Sequence, residues 1–219
     1  MRTYRLAVIP GDGIGPEVIA ESIQTLTSLA AVQRGFQFDL QQFDWGTERY
    51  LREGAMMPTD GLTMLEQGGF DGILLGPVGD PRVPDHITLW GLVLPLRQAF
   101  DQYVNLRPVR LLPGVRSPLA EKRPQDIDIV CIRENTEGEY AGAGGRVHQG
   151  KEEEVAIQST IFTRKGTERI IRYAFEYARR SGRKKVTSAT KSNSMQYNMV
   201  FWDEVFRLVA AEYPDIAHE

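Results

Sequence analysis

The sequence predicts an α/β protein with two domains, residues 1–99 and 100–219. Short apolar runs alternate with amphipathic segments between Leu6 and Leu75, in the order strand, helix, strand, helix, strand. That order is typical of a parallel sheet covered by helices. The 219 residues are enough for one or two domains of about 100–150 residues each. With 42% hydrophobic and 25% charged residues, the composition is that of an ordinary globular protein, which excludes a disordered chain.

The first domain begins with a strand, a glycine-rich turn and a helix. Leu6–Ile9 predicts a buried strand, and Pro16 suits the first helical turn because its missing amide would have no partner there. The turn Gly11–Gly15 resembles a dinucleotide-binding loop, but the G-x-G-x-x-G fingerprint requires its third glycine one residue later. We therefore interpret this segment as a tight strand-to-helix turn. The next elements are a strand, a helix and a strand, at residues 36–43, 58–67 and 70–75.

Strands and helices continue to alternate along the rest of the chain. Pro95 falls inside a predicted helix, where proline is tolerated only in the first turn, and this indicates a shifted helix start. Cys131 lies in an apolar run and is interpreted as a packed core thiol. The predicted elements are a helix at 91–101, strands at 103–111 and 127–132, a glycine-rich arm at about 141–160, a helix at 164–181, a strand at 186–189 and a helix at 192–213.

Several classes of function are disfavoured by composition and by missing motifs. The net charge of −3 gives no basic field for nucleic acid, and no apolar span predicts a membrane helix or a signal peptide. A single cysteine favours a cytoplasmic protein. The three histidines have no ligand spacing, so we predict no metal site within the chain. Neither a P-loop nor a G-x-S-x-G elbow is present.

The segment Arg133–Tyr140 carries one guanidinium, three carboxylates and a phenol directly after a predicted strand. Charged groups at the end of a strand are placed to meet a ligand. Two more arginines, Arg97 and Arg107, lie on a predicted helix and a predicted strand. Arginine binds a carboxylate through two parallel hydrogen bonds, so three converging arginines would hold a small di- or tricarboxylate. The alternative is that each pairs with a neighbouring acid, such as Asp101 for Arg97 or Glu134 for Arg133.

A phenol and an amine are candidates for proton transfer. Tyr140 can exchange protons at neutral pH when a cation lies beside it, and Lys191 is a candidate for that cation. Lys191 itself follows a predicted strand, where a lysine can lose solvation and act as a base. Taken singly, each residue is more often an ordinary surface residue.

Taken together, the motifs resemble the metal-dependent β-decarboxylating 2-hydroxyacid dehydrogenases, the isocitrate/isopropylmalate dehydrogenase family. The matching segments are Ile9–Val18, Gly76–Gly79, Leu96–Arg97, Tyr103–Pro108, Arg133–Tyr140 and Lys191–Asn193. The segment His86–Gly91 is similar to the tartrate and D-malate dehydrogenase branch. The resemblance implies the two-domain fold of that family, which is not a Rossmann fold, and a chain that stops before the family's C-terminal half.

The resemblance also implies roles for single residues. Arg97, Arg107 and Arg133 would bind the substrate carboxylates, and Tyr140 would help protonate the enol left after loss of carbon dioxide. Lys191 would accept the hydroxyl proton in the active site of a partner subunit, and Asn193 would lie near the nicotinamide ribose. NAD and Mg²⁺ or Mn²⁺ would be the cofactors, with the aspartates that hold the metal beyond residue 219. The arm at about 141–160 would clasp a second copy in a homodimer.

The predicted function is NAD- and metal-dependent oxidation and decarboxylation of D-malate or tartrate. Two alternatives remain open within the same resemblance. One is an isocitrate or isopropylmalate dehydrogenase. The other is a catalytically inactive, regulatory dicarboxylate-binding subunit or fragment that lacks the metal-ligand aspartates.

Overall fold

The computed structural model describes all 219 residues, which form two compact units, Met1–Phe100 and Asp101–Glu219. The first unit holds β1 (Arg2–Ile9), α1 (Gly15–Gln33), β2 (Phe36–Gln42), α2 (Thr47–Glu53), α3 (Gly61–Gln67), β3 (Gly72–Leu75), α4 (Asp85–Thr88) and α5 (Leu94–Ala99). The second holds β4 (Val104–Arg110), β5 (Asp128–Glu134), β6 (Gly138–Val147), β7 (Val155–Ile161), α6 (Arg164–Arg180), β8 (Lys185–Val186), α7 (Asn198–Ala210) and β9 (Ala217–His218). No helix combines the length and the hydropathy that crossing a membrane requires.

The sheet of the first unit has the predicted parallel architecture, with strand order β2-β1-β3. The central strand β1 is fully buried at Ala7, Val8 and Ile9. Its apolar side chains pack into a core with Trp45, Met56 and other residues from the loops and helices that follow. Burial on both faces explains why the end of β1 reads as a continuous apolar run.

The glycine-rich turn after β1 packs against the segment Gly76–Gly79, which follows β3. This packing agrees with the interpretation of residues 11–15 as a tight turn. The Asp12 amide donates to the Pro77 carbonyl at 2.7 Å, and the Gly76 amide donates to the Ile9 carbonyl at 2.8 Å. Gly11 has φ +73°, and a Cβ there would overlap the Pro77 carbonyl oxygen. Only glycine allows this close approach of the two backbones.

A buried carboxylate locks that turn. Asp12 is 6% exposed and accepts hydrogen bonds from the Thr47 amide at 2.6 Å, the Thr47 hydroxyl at 2.8 Å and the Gly79 amide at 2.9 Å. A buried carboxylate is tolerated when its oxygens are satisfied in this way. Asp12 therefore joins the end of β1, the start of α2 and the loop after β3.

The helix predicted to begin at Gly91 begins at Asp85 instead, and a π-helical segment, Leu89–Val93, links α4 to α5. The Leu94 amide donates to the Leu89 carbonyl, five residues back. Pro95 has no amide to donate and its ring would clash with the carbonyl four residues earlier, so the wider turn just before it accommodates the proline.

The second unit is built on a core between α6 and α7. Ile170, Phe175, Val205 and Phe206 are buried there, and Ile132 of β5 packs against them. The predicted cap of α6 is confirmed, because the Thr163 hydroxyl accepts from the Gly166 amide at 2.9 Å. The predicted arm is an antiparallel hairpin of β6 and β7.

Two sequence expectations are wrong in this unit. Cys131 is exposed rather than buried, because β4 and β5 form a two-stranded sheet and only alternate residues face the core. The last helix begins at Asn198 rather than Ser192, because local hydrogen bonds form turns first. The Lys191 carbonyl accepts from the Ser194 and Met195 amides at 3.1 and 3.0 Å.

The turn after β1 gives a test with a matched control. Gly11→Ala should lose about 1–3 kcal/mol more unfolding free energy than Gly13→Ala. Both glycines have positive φ, +73° and +58°, but the Cβ at position 13 meets nothing within 4 Å. Each variant carries the backbone cost of about 1–2 kcal/mol, and only the first adds overlap with Pro77. Urea denaturation measures the difference, and equal losses would contradict the packing described.

Candidate functional site

One face of the β4–β5 sheet collects polar side chains. In the antiparallel register Asn105 lies opposite Arg133, and Arg107 lies opposite Cys131. Directly opposed residues project to the same side of a sheet, as do residues two apart on one strand. These four side chains therefore share the face that points away from the α6–α7 core.

Two asparagine amides join the two arginines of this face. The Arg107 Nε donates to the Asn105 Oδ1 at 3.0 Å, and the Asn105 Nδ2 donates to the Asn135 Oδ1 at 3.3 Å. The same Asn135 Oδ1 accepts from the Arg133 Nη2 at 3.2 Å. We call Arg107, Asn105, Asn135 and Arg133 the amide bridge. Its central amide, Asn135, is 4% exposed.

The positive charges of the amide bridge are not neutralised by acids. Arg107 and Arg133 bond to amide oxygens and take part in no ion pair. A third arginine of the same sheet, Arg110, behaves differently, because its Nε lies 3.2 Å from the Asp128 carboxylate. Hydrogen bonding by Arg183, with a further bond from Arg110, lowers the pKa of Asp128. The alternative that Arg133 pairs with neighbouring Glu134 is therefore wrong.

The carboxylate of Glu134 holds its own turn rather than a ligand. It accepts from the Thr136 amide at 2.8 Å, the Thr136 hydroxyl at 2.6 Å and the Glu137 amide at 2.7 Å. Arg169 donates to the same Thr136 hydroxyl at 3.0 Å and stacks over Tyr103. These bonds turn the chain sharply at the end of β5.

Glu137 is structural as well. Its carboxylate accepts from the Thr163 amide at 2.9 Å and from the Thr163 hydroxyl at 2.5 Å, at the start of α6. A Cβ at Gly166 would overlap the Glu137 carboxylate, so the glycine makes room for it. The expectation that the acids of this segment face a ligand is therefore wrong for Glu134 and Glu137.

The predicted site residues fall into three places. Arg133 and Tyr140 are together, with the Arg133 Cζ 5.5 Å from the Tyr140 ring centroid, and the amide bridge connects Arg133 to Arg107. Arg97 lies on α5 of the first unit. Lys191 and Asn193 lie on the exposed turns between β8 and α7. The roles assigned to all six residues stay predictions.

Sequence reasoning missed Asn105 and Asn135. The signal was present, because each asparagine stands two residues from an arginine, Arg107 and Arg133 respectively. Its meaning depends on the β4–β5 register, which brings the two pairs together.

The residues of this chain form no cluster of three or more histidines, cysteines, aspartates or glutamates that could hold a metal ion. The carboxylates nearest to the arginines, Glu134 and Glu137, are occupied by backbone amides and hydroxyls. In the glycine-rich turn of the first unit, Gly11 packs against the Pro77 carbonyl and Asp12 accepts from the Gly79 amide.

Comparison with known proteins gives a consistent set of matches. The family model described as isocitrate/isopropylmalate dehydrogenase matches residues 5–219. A probable tartrate dehydrogenase/decarboxylase of Agrobacterium vitis is 52% identical over 216 residues, which cover 99% of this chain and 60% of that protein. The decarboxylating D-malate dehydrogenase of Escherichia coli K12 is 54% identical over 218 residues, with coverage of 99% and 60%. The chain thus spans about 60% of the length of these relatives.

Solved structures agree with this likeness. The crystal structure of isocitrate dehydrogenase from Methylococcus capsulatus has a TM-score of 0.78 and 34% identity, covering 98% of this chain and 59% of that one. The TT0538 protein from Thermus thermophilus has a TM-score of 0.77 and 35% identity, covering 98% of this chain and 40% of that one.

The exposure of Cys131 is directly testable. Iodoacetamide should alkylate it in the folded protein, because its thiol lies on the open face of the sheet beside Arg107. Mass spectrometry of the intact protein under native conditions measures the reaction, and the same reaction in urea gives the rate for a fully accessible thiol. The native rate should lie within about tenfold of the rate in urea, since only accessible thiols react readily. Alkylation that requires denaturant would contradict the exposed placement.

Proposed function

Since the chain belongs to the isocitrate/isopropylmalate dehydrogenase family, we propose that it forms the dicarboxylate-binding part of an oxidative decarboxylase. The proposed substrate is a small 2-hydroxy dicarboxylate, D-malate or tartrate, because relatives about half identical to this chain carry those names. NAD and Mg²⁺ or Mn²⁺ are the proposed cofactors. The resemblance seen in the sequence motifs is confirmed at the level of the family.

The observation that carries the proposal is the pair of guanidiniums held on one sheet face without acids. Arg107 and Arg133 are tied to each other through two amides. A guanidinium that is anchored through one nitrogen still offers other N–H groups in its plane to a carboxylate. Two such cations match the charge of a small dianion, and an anion between them completes the hydrogen bonding that the protein leaves open.

Each predicted residue takes a role in this proposal. Arg97, Arg107 and Arg133 bind the carboxylates and fix the orientation of the substrate, and Lys191 accepts the proton of the substrate hydroxyl. Tyr140 returns a proton to the carbon that loses carbon dioxide. The Arg133 guanidinium, 5.5 Å from the centre of its ring, places the phenol beside the proposed carboxylate-binding arginine and supports that role.

The cofactors rest on the family alone. NAD, when bound, would supply the acceptor for a hydride from the substrate, and Asn193 is the residue of this chain proposed to lie beside its ribose. The residues of this chain do not by themselves supply a metal-binding cluster. The proposed ligands of the Mg²⁺ or Mn²⁺ ion are aspartates in the part of the family's length that residues 1–219 do not cover.

A homodimer is part of the same proposal. The β6–β7 hairpin extends over Gly138–Ile161 and exposes Val147, Val155 and Ile157, whose side chains are 54%, 45% and 61% exposed. Apolar side chains on a two-stranded hairpin gain stability when another surface covers them. We propose that a second copy of the chain supplies that surface, as expected for the arm at 141–160.

The arginine pair yields a binding test. Arg133→Lys should weaken binding of D-malate about tenfold or more, because lysine keeps the charge but loses the planar pair of hydrogen bonds. Arg110→Lys is the matched control on the same sheet, since Arg110 is already paired with Asp128. Isothermal titration calorimetry measures both affinities. Equal affinities for the two variants would exclude Arg133 as a substrate ligand.

Turnover separates the enzyme from a binding subunit. Purified protein is incubated with D-malate, NAD and Mn²⁺, and formation of NADH and of carbon dioxide is followed. Production of both in equal amounts is the expected result for an oxidative decarboxylase. Binding of D-malate that does not depend on Mn²⁺, without NADH, would favour the regulatory alternative. Absence of both binding and turnover would overturn the proposal.

A further inference from the structure

We propose that Asn105 and Asn135 are positioning residues, which hold the two guanidiniums with neutral oxygens so that both keep their full charge for the dianion. This inference rests on the proposed dicarboxylate site and names how the site is kept charged. Neither asparagine has been assigned a role from the sequence motifs. The structural basis is the amide bridge.

The orientation of the Asn135 amide is determined by its surroundings. Its Nδ2 donates to the Gln102 carbonyl at 3.2 Å, which requires the amino group on that side. The Oδ1 then faces the Arg133 Nη2 and the Asn105 Nδ2, at 3.2 and 3.3 Å. With 4% exposure the amide has little contact with water, so these partners fix its position.

The bridge is the main restraint on the two arginines. The Arg133 Nε is buried without a hydrogen-bond partner, so the bond from its Nη2 to Asn135 holds the plane of the guanidinium. At Arg107 the corresponding bond runs from Nε to Asn105. Along the bridge, each asparagine oxygen accepts from one arginine, and the Asn105 amino group donates to the Asn135 oxygen.

An acid in place of Asn105 would still accept from the Arg107 Nε, but it would lose the hydrogen bond donated to Asn135 and cancel the charge of the arginine. The same sheet contains that arrangement at Arg110, which lies 3.2 Å from the Asp128 carboxylate. An arginine already paired with a carboxylate attracts a second anion much less, because the field of the pair falls off faster than that of a lone charge. A neutral anchor therefore suits a guanidinium that has to receive a ligand, whereas Asp128 suits one that only stabilises the fold.

Asn105→Asp tests the inference, because Asn105 is only half-buried and the shape of the side chain is kept. The affinity for D-malate should fall about tenfold, the ratio commonly carried by one charged hydrogen bond. Salt should also weaken binding less than in the unaltered protein, since less net positive charge meets the anion. Asn198→Asp is the matched control, a same-type change at the start of α7 away from the bridge, and should leave affinity and salt dependence unchanged.

Asn105→Ala separates the effect of anchoring the Arg107 guanidinium from the effect of changing the charge of the site. It removes the anchor of Arg107 and keeps the charge, so the salt dependence of D-malate binding should stay as in the unaltered protein while affinity falls. Hydrogen exchange of the Arg107 Nε–H, followed by NMR, should become faster in this variant, and that of Arg172, bound to Glu168 and Glu212, should not change. Thermal melting of each variant establishes that it is folded.

Each outcome bears on a different statement. Unchanged affinity and salt dependence in Asn105→Asp would overturn the charge argument. An unchanged Arg107 Nε–H exchange rate in Asn105→Ala would overturn the positioning role even without any ligand. If the unaltered protein binds no dicarboxylate, the proposed function fails, the ligand part of the inference fails with it, and the exchange measurement alone decides whether the bridge holds Arg107.

Discussion

The turn that ends β5 carries its own hydrogen-bond acceptors, and the sheet face that holds Arg107 and Arg133 depends on it. Glu134 supplies three of these bonds within the turn, and Glu137 reaches the capping residue Thr163 of α6. The arginine at the end of the strand is thereby tied to the helix that forms one side of the core. A loop that was free to move would leave Arg133 and Tyr140 without a fixed relation, and the entropy of ordering them would then oppose ligand binding.

The first unit uses a carboxylate in the same way. Asp12 stands among glycines and is bound by the Thr47 and Gly79 amides, so it organises loops instead of meeting a ligand. In both units the acids of a motif-like segment support the backbone. The sequence alone therefore does not assign a role to an acid in such a motif. A carboxylate that accepts backbone amides and one that binds a metal can be distinguished only once their partners are known.

Helices and strands with a clear hydrophobic pattern could be predicted from the sequence. Element boundaries and side-chain placements that depend on single contacts could not. The apolar run Leu6–Ile9 and the helically spaced apolar residues of α6, such as Ile170 and Phe175, are visible in the sequence. Each repeats one burial pattern over several residues. The start of α4 was not, because it depends on how the chain accommodates Pro95. Cys131 was misplaced because an apolar run does not reveal that only one face of its strand is covered. The arginines could be predicted from residue type, whereas Asn105 and Asn135 gain their meaning only from the register between strands.

A site with unpaired cations raises the question of how the fold tolerates them. Arg107 is exposed and Arg133 is half-buried, so water solvates much of the charge before a ligand arrives. The two guanidiniums therefore lose most of their water only when an anion binds. The attraction of the anion then offsets the cost of desolvation, which is the main cost of burying a charge. The amide bridge fits this arrangement, because amide oxygens compensate part of the lost hydration at Arg133 without neutralising it. A carboxylate at the same place would weaken the site by neutralising the guanidinium, and the paired Arg110–Asp128 shows that this sheet also contains that arrangement.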